Sequence, residues 1–323
     1  MSNTNRIIGF DVARVFSIVY IIGVYHVLGY AGIYGRHPVV RTFTYASLCI
    51  FTFISSFLLT SKYTFESKKE ILCFYKKRVL RFYPLFFIAS VLLYLLGVNN
   101  GIQTMKGLLG ISPFIKPHPI TMWYCAMLIS LYLLTPFLAT GGWKKQFIKF
   151  SAVMGIIILI EVLFHSVVPR TYWYFLVYFV GIIVAQQFGV SFLSFLKRNW
   201  IILMVVFLAF VVLTFITRSS VLKYVNSGVG LFALLSLYLK IGDWIENKDK
   251  LTNCFLWLSY ASMCMYLFHR QVYEVMLTIY HPATPMGVCL YLGLAGVIIT
   301  IVLSYCIQKT YDYIIAKIIY KVK

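Results

Sequence analysis

Apolar stretches of roughly 20 residues recur along this chain, separated by short polar linkers. A hydrocarbon core about 30 Å thick, crossed at about 1.5 Å per residue, calls for stretches of that length. The pattern predicts ten membrane-spanning helices, over residues 7–30, 42–61, 79–97, 122–140, 148–166, 172–188, 200–217, 221–239, 255–276 and 286–308. The expected fold class is therefore all-α: a polytopic integral membrane helical bundle of about ten transmembrane helices, with both termini cytoplasmic. No low-complexity tract or long linker interrupts it, so residues 1–323 read as a single transmembrane domain with no appended soluble domain. The first span contains Asp11, Arg14 and His26, and no small-residue cleavage pattern follows it. It reads as a retained helix and not a signal peptide.

Composition sharpens this. Of the 323 residues 61% are hydrophobic and 12% charged, against about 25% charged in soluble domains. A soluble core cannot hide that much apolar surface. The formal charge of +20, from 29 Lys and Arg against 9 Asp and Glu, raises the question of a nucleic-acid partner. With the N-terminus inside, most of the basic residues fall on the inner side, in groups such as Lys62 to Arg81, Lys144 to Lys149 and Lys309 to Lys323. Fewer fall outside: Arg36, Arg41, Lys106, Lys116, Arg170, Arg218 and Lys223. The basic excess is thus mainly a topology signal, the positive-inside bias, and the expected partner is the lipid bilayer, with no nucleic acid. The seven cysteines show neither metal nor disulfide spacing and read as small apolar fillers.

An ionisable group in hydrocarbon costs several kcal/mol unless it is paired or faces a polar cavity, so each is a functional candidate. Asp11 and Arg14, three apart, can pair on one helical face. His26 lies twelve residues beyond Arg14, about 18 Å along the helix, with no charged residue within four positions. It is either a base or ligand, or a structural histidine bonded to a neighbouring backbone. Arg78 and Arg81 share a face where the third span meets the inner surface. Guanidinium forks suit phosphate contacts, but the positive-inside rule places such a cluster there without any ligand. Trp123 and Tyr124, after Pro117-His118-Pro119, are either site residues or part of the outer aromatic belt. Glu161 and His165, four apart, are spaced to pair. Ser262, Tyr266 and His269, with Arg270 and Glu274 beyond, give the ninth span a polar end.

Several of these segments, in order, resemble one family, the membrane acyltransferase-3 group of bacterial O-acyltransferases. The matching stretches are Phe10-Asp11-Val12-Ala13-Arg14 with the later histidine, Phe51 to Leu59 with Ser55 and Ser56, Arg78-x-x-Arg81 with Tyr83-Pro84, Met122-Trp123-Tyr124 with Leu131-Tyr132-Leu133, and Ser262 with Tyr266-Leu267-Phe268-His269. The resemblance implies transfer of an acyl group, usually acetyl, from cytoplasmic acyl-coenzyme A to a hydroxyl of a cell-envelope glycan or lipid-linked sugar, in the bacterial plasma membrane. It implies catalytic roles for His26 and Arg14 and donor binding by Arg78 and Arg81, with acyl-coenzyme A a substrate, no permanently bound cofactor and no metal. Asp11, Ser55, Trp123, Tyr124, Glu161, Tyr266 and His269 are further candidate site residues. On this reading the donor's thioester arm runs from the arginines along a channel between helices to His26.

Two departures stand out. The family usually has ten residues between its arginine and histidine; here Val15 to Tyr25 make eleven, which turns His26 by about 100° relative to Arg14 unless a π-bulge absorbs the extra residue. Ser56 stands where the second-span motif usually has glycine, adding a side chain at a helix contact. The competing expectation is a transporter of a polysaccharide or lipid-linked precursor, against which no inverted repeat or pair of broken helices is found.

Overall fold

The computed structural model describes residues 6–33, 37–217 and 219–321. Arg36, Arg218 and Lys323, counted above among the flanking charges, lie outside them. Every regular element among the described residues is helical: α1 (Ile8–Tyr30), α2 (Pro38–Thr60), α3 (Lys68–Leu95), α4 (Gly101–Leu108), α5 (Trp123–Ala139), α6 (Trp143–Phe164), α7 (Pro169–Arg198), α8 (Trp200–Thr217), α9 (Val221–Ile245), α10 (Asp249–Ile279) and α11 (Pro285–Lys317). Nine of these are long and apolar enough to cross a membrane, and α5, the fourth expected span, is a shorter apolar helix. The chain is an all-α polytopic membrane protein.

The helices overrun the apolar blocks, because charge at a helix end does not stop a helix. α3 begins at Lys68 and not near 79: Ser67 accepts from Glu70 N at 3.1 Å, while the Glu70 carboxylate takes Thr64 N, Thr64 Oγ1 and Glu66 N. This is the Ser-x-x-Glu start signal, and the basic residues after it are already helical. α4 was not expected. It is held by a capping box in which Asn100 and Gln103 bond each other's backbone.

By packing, the chain divides into two compact units. The first comprises residues up to Phe51 and from Ser191 onward. In it α1 lies directly on α9: a Cβ added at Gly9 would come 2.7 Å from Leu239 Cα, and one at Gly242 would come 2.5 Å from Gly9 Cα. Without side chains at these points the backbones meet, the usual device for packing helices in lipid. Phe16 then stacks on Tyr238 at 5.3 Å. α10 and α11 are joined by Trp257 against Tyr305 at 4.7 Å and by Cys264 Sγ donating to Gln308 Oε1 at 3.2 Å.

The second unit is Thr52–Val190. Polar side chains tie its helices together: Thr52 with Tyr124 at 3.0 Å, Thr135 with Tyr178 at 2.6 Å, and Gln146 Nε2 to Gln186 Oε1 at 2.6 Å. The linker after α4 is pinned to the α6–α7 turn, where Ser166 donates to Phe114 O and Lys116 Nζ to His165 O. The Ser56 departure finds its complement here: a Cβ on Gly181 would lie 1.9 Å from Ser56 Oγ. The contact keeps one small residue, supplied by α7 instead of α2.

Candidate active site

Within the first unit, α1 is not a uniform α-helix: residues Ile21–His26 form a π turn. Eleven steps of about 100° bring two side chains within about 20° of one face, whereas twelve separate them by about 120°. The π turn takes up the extra residue between Arg14 and His26. Its stabilisation is local and visible: Tyr273 of α10 donates from its hydroxyl to Ile22 O, a carbonyl inside the wide turn, at 3.1 Å. Small residues let α11 close on this region. A Cβ at Gly296 would lie 3.0 Å from Tyr273 Cε1, and Gly296 belongs to a second π turn, Tyr291–Gly296.

The π turn sets His26 against His269, with ring centroids 4.5 Å apart. His26 is half-buried, whereas His269 is completely buried. His269 Nδ1 lies 2.8 Å from Tyr266 O and 3.2 Å from Met265 O. Carbonyls only accept, so the Nδ1 atom carries the hydrogen and Nε2 presents a lone pair. That lone pair has no hydrogen-bond partner among the described residues. A buried polar atom left so costs about 1–3 kcal/mol. Tyr266 and Tyr273 rings each stand 5.9 Å from His269.

One turn further, Tyr30 donates to Glu274 Oε1 at 2.6 Å, Arg270 Nε lies 3.6 Å from the same oxygen, and the Arg270 guanidinium sits 5.3 Å from the Tyr30 ring centroid. Tyr30 and Tyr273 were missed in the sequence. Each stands four residues after a histidine, the spacing of same-face helical neighbours, and that was the available signal.

Asp11, expected to pair with Arg14, is buried and held chiefly by Arg6, whose Nε and Nη2 donate at 2.8 and 3.0 Å. Ser259 Oγ donates at 2.7 Å, and Arg14 Nη1 stands at 4.0 Å. Asp11 and Arg14 thus form the expected i, i+3 ion pair, and Arg6, which the sequence did not suggest, is the closer partner.

The remaining candidates are in the second unit. Arg78 is half-buried, with its Nε enclosed and without a hydrogen-bond partner, and Arg81 is exposed. Tyr124 is buried and bonded to Thr52, so it is not an interfacial belt residue. Trp123, Tyr124 and Tyr174 form a ring cluster with centroids 5.8 to 6.0 Å apart, and the Arg170 guanidinium lies 4.4 Å from the Trp123 ring centroid. Glu161 and His165 do not pair through their side chains. His165 ends α6 in the left-handed region, at φ 46°, and the Glu161 carboxylate instead accepts Val167 N at 2.7 Å. Ser55 is half-buried, while its neighbour Ser56 makes the contact with Gly181. His118, in the linker after α4, bonds Ser112 O through Nδ1. Burial, and then the positive charges of Lys116, Arg170 and Lys106, push its pKa down from the usual 6.5. Among the described residues no cluster of His, Cys, Asp or Glu has the arrangement of a metal site.

A family model described as an acyltransferase domain matches residues 7–308 of the chain. No curated protein and no solved structure matches it.

Proposed function

The chain belongs to the acyltransferase-3 family, and on that premise we propose that it transfers an acyl group, acetyl in the simplest case, from acyl-coenzyme A to a hydroxyl of a cell-envelope glycan or lipid-linked sugar. The membrane is the bacterial plasma membrane, crossed in the multi-pass arrangement that the helices support. The observation that carries this reading is the His26–His269 contact at 4.5 Å, built at a π turn of α1. Two imidazoles, one with an orphaned lone pair, are chemistry that packing alone does not call for.

In this reading His26 is the imidazole at which the acyl group is passed on, either by taking the acceptor hydroxyl's proton or by carrying the acyl group itself. Arg14 is proposed to support it from the same helix. Arg78 is proposed to contact the donor's phosphates through its unpartnered guanidinium nitrogen, with Arg81 adding positive charge at the exposed surface.

The test is an assay of the detergent-solubilised protein with radiolabelled acetyl-coenzyme A and extracted envelope lipids and glycans. Label is expected in a hydroxyl ester of the glycan or lipid fraction, without sealed vesicles. Vectorial movement of precursor in sealed vesicles with no label in any ester would contradict the enzyme and support a transporter.

A further inference from the structure

The two histidines in contact are held in opposite ways. His269 has one nitrogen fully committed: its Nδ1–H is shared between the carbonyls of Tyr266 and Met265. Its other nitrogen is enclosed, with no partner among the described residues. His26 is half-buried, and among the described residues no hydrogen bond reaches its ring. A general base needs an acceptor behind it, to fix the tautomer and to take up the positive charge when the front nitrogen is protonated. His269 has that acceptor in two carbonyls and His26 has none.

Resting on the acyl-transfer reading above, we propose that the two divide the reaction: His26 carries the acyl group, and His269 is the catalytic base that receives the acceptor hydroxyl's proton at Nε2. In the first step a His26 nitrogen attacks the thioester carbonyl. The carbon–nitrogen bond forms, the carbon–sulfur bond breaks, and the leaving thiolate takes the proton released by the His26 ring, giving free thiol and a neutral acyl-imidazole. In the second step the hydroxyl oxygen attacks the acyl carbon while its proton goes to His269 Nε2. The carbon–nitrogen bond breaks, its electron pair returns to His26, and that His26 nitrogen takes up the proton that His269 releases. The products are an ester and two neutral imidazoles.

The experiment uses full-length wild-type, His269→Asn and His26→Ala proteins in detergent, with radiolabelled acetyl-coenzyme A and native membranes as the source of acceptor. Asn keeps an amide near the position of Nδ1, so the bonds to Tyr266 and Met265 survive while the base is gone. The expected result for His269→Asn is one equivalent of coenzyme A released per protein, label retained on His26 by mass spectrometry, and ester formation lowered at least about 100-fold. His26→Ala should retain no label. Should His269→Asn fail to match the wild-type melting profile, His269→Gln replaces it, with the same expectation. Wild-type ester formation in a folded His269 variant, or a folded variant that is inactive yet never labelled, would overturn the division of roles. A wild-type protein that neither releases coenzyme A nor labels any acceptor overturns the acyl-transfer reading itself.

Discussion

Asp11, the one acidic side chain of α1, has Arg6, Arg14 and Ser259 around it, and its neutralisation has a defined consequence. In Asp11→Asn the two Arg6 bonds and the Ser259 bond lose their charge-assisted character, while Arg14 remains 4.0 Å away with less to balance it. Because the Arg6 side chain is 57% exposed, water screens much of that pair. The expected loss is about 1–3 kcal/mol, read as a lower midpoint in thermal unfolding of the detergent-solubilised protein, with Ser259→Ala losing less. His118 adds a pH dependence whose sign follows from its depressed pKa. The folded state disfavours the charged imidazole, so below pH 6.5 the unfolded chain binds more protons, and stability falls as pH drops from there toward the lowered folded value. Melting midpoints of wild type and His118→Gln should therefore converge or cross as pH is taken from 7.5 to 5. A parallel pair of curves would show that His118 is solvated. At this scale the sequence names candidate side chains but not their partners. His26 and His269 were both legible as intramembrane histidines, yet their meeting depends on how α1 and α10 pack, and no local spacing reports that.

The extra residue between Arg14 and His26 was readable as a problem of helical phase, and a π turn was one of its two solutions. What the sequence could not show is why the turn forms there, since the Tyr273 hydroxyl that meets Ile22 O comes from more than two hundred residues away. Span existence was legible from apolar length, while span ends were not, because the Lys and Arg after the Ser67 N-cap are good helix formers. The Ser56–Gly181 contact makes an element-scale prediction. Gly181→Ala sets a methyl 1.9 Å from Ser56 Oγ and 3.0 Å from Phe53 O, which should cost about 1–3 kcal/mol by overpacking. Adding Ser56→Gly should recover part of that, leaving the backbone clash. Melting midpoints of the two single variants and the double variant test it: additive effects would mean that the side chains do not meet.

For the molecule as a whole, the ten apolar stretches and the uneven distribution of Lys and Arg left little freedom in fold class, because hydrocarbon admits few alternatives to helices. Function was less legible from composition than from five short segments in order, which resemble the acyltransferase-3 family to which residues 7–308 assign the chain. The candidate site residues are few and embedded in apolar helices, where an ionisable group is costly unless it is paired or faces a polar cavity. The central claim is that His26 passes the acyl group, and one measurement tests it most directly. Membranes holding equal amounts of wild-type or His26→Ala protein, matched for melting behaviour, are given radiolabelled acetyl-coenzyme A, and the ester formed on envelope material is counted. A loss of about 100-fold or more is predicted for His26→Ala; ester formation at the wild-type rate would contradict the account.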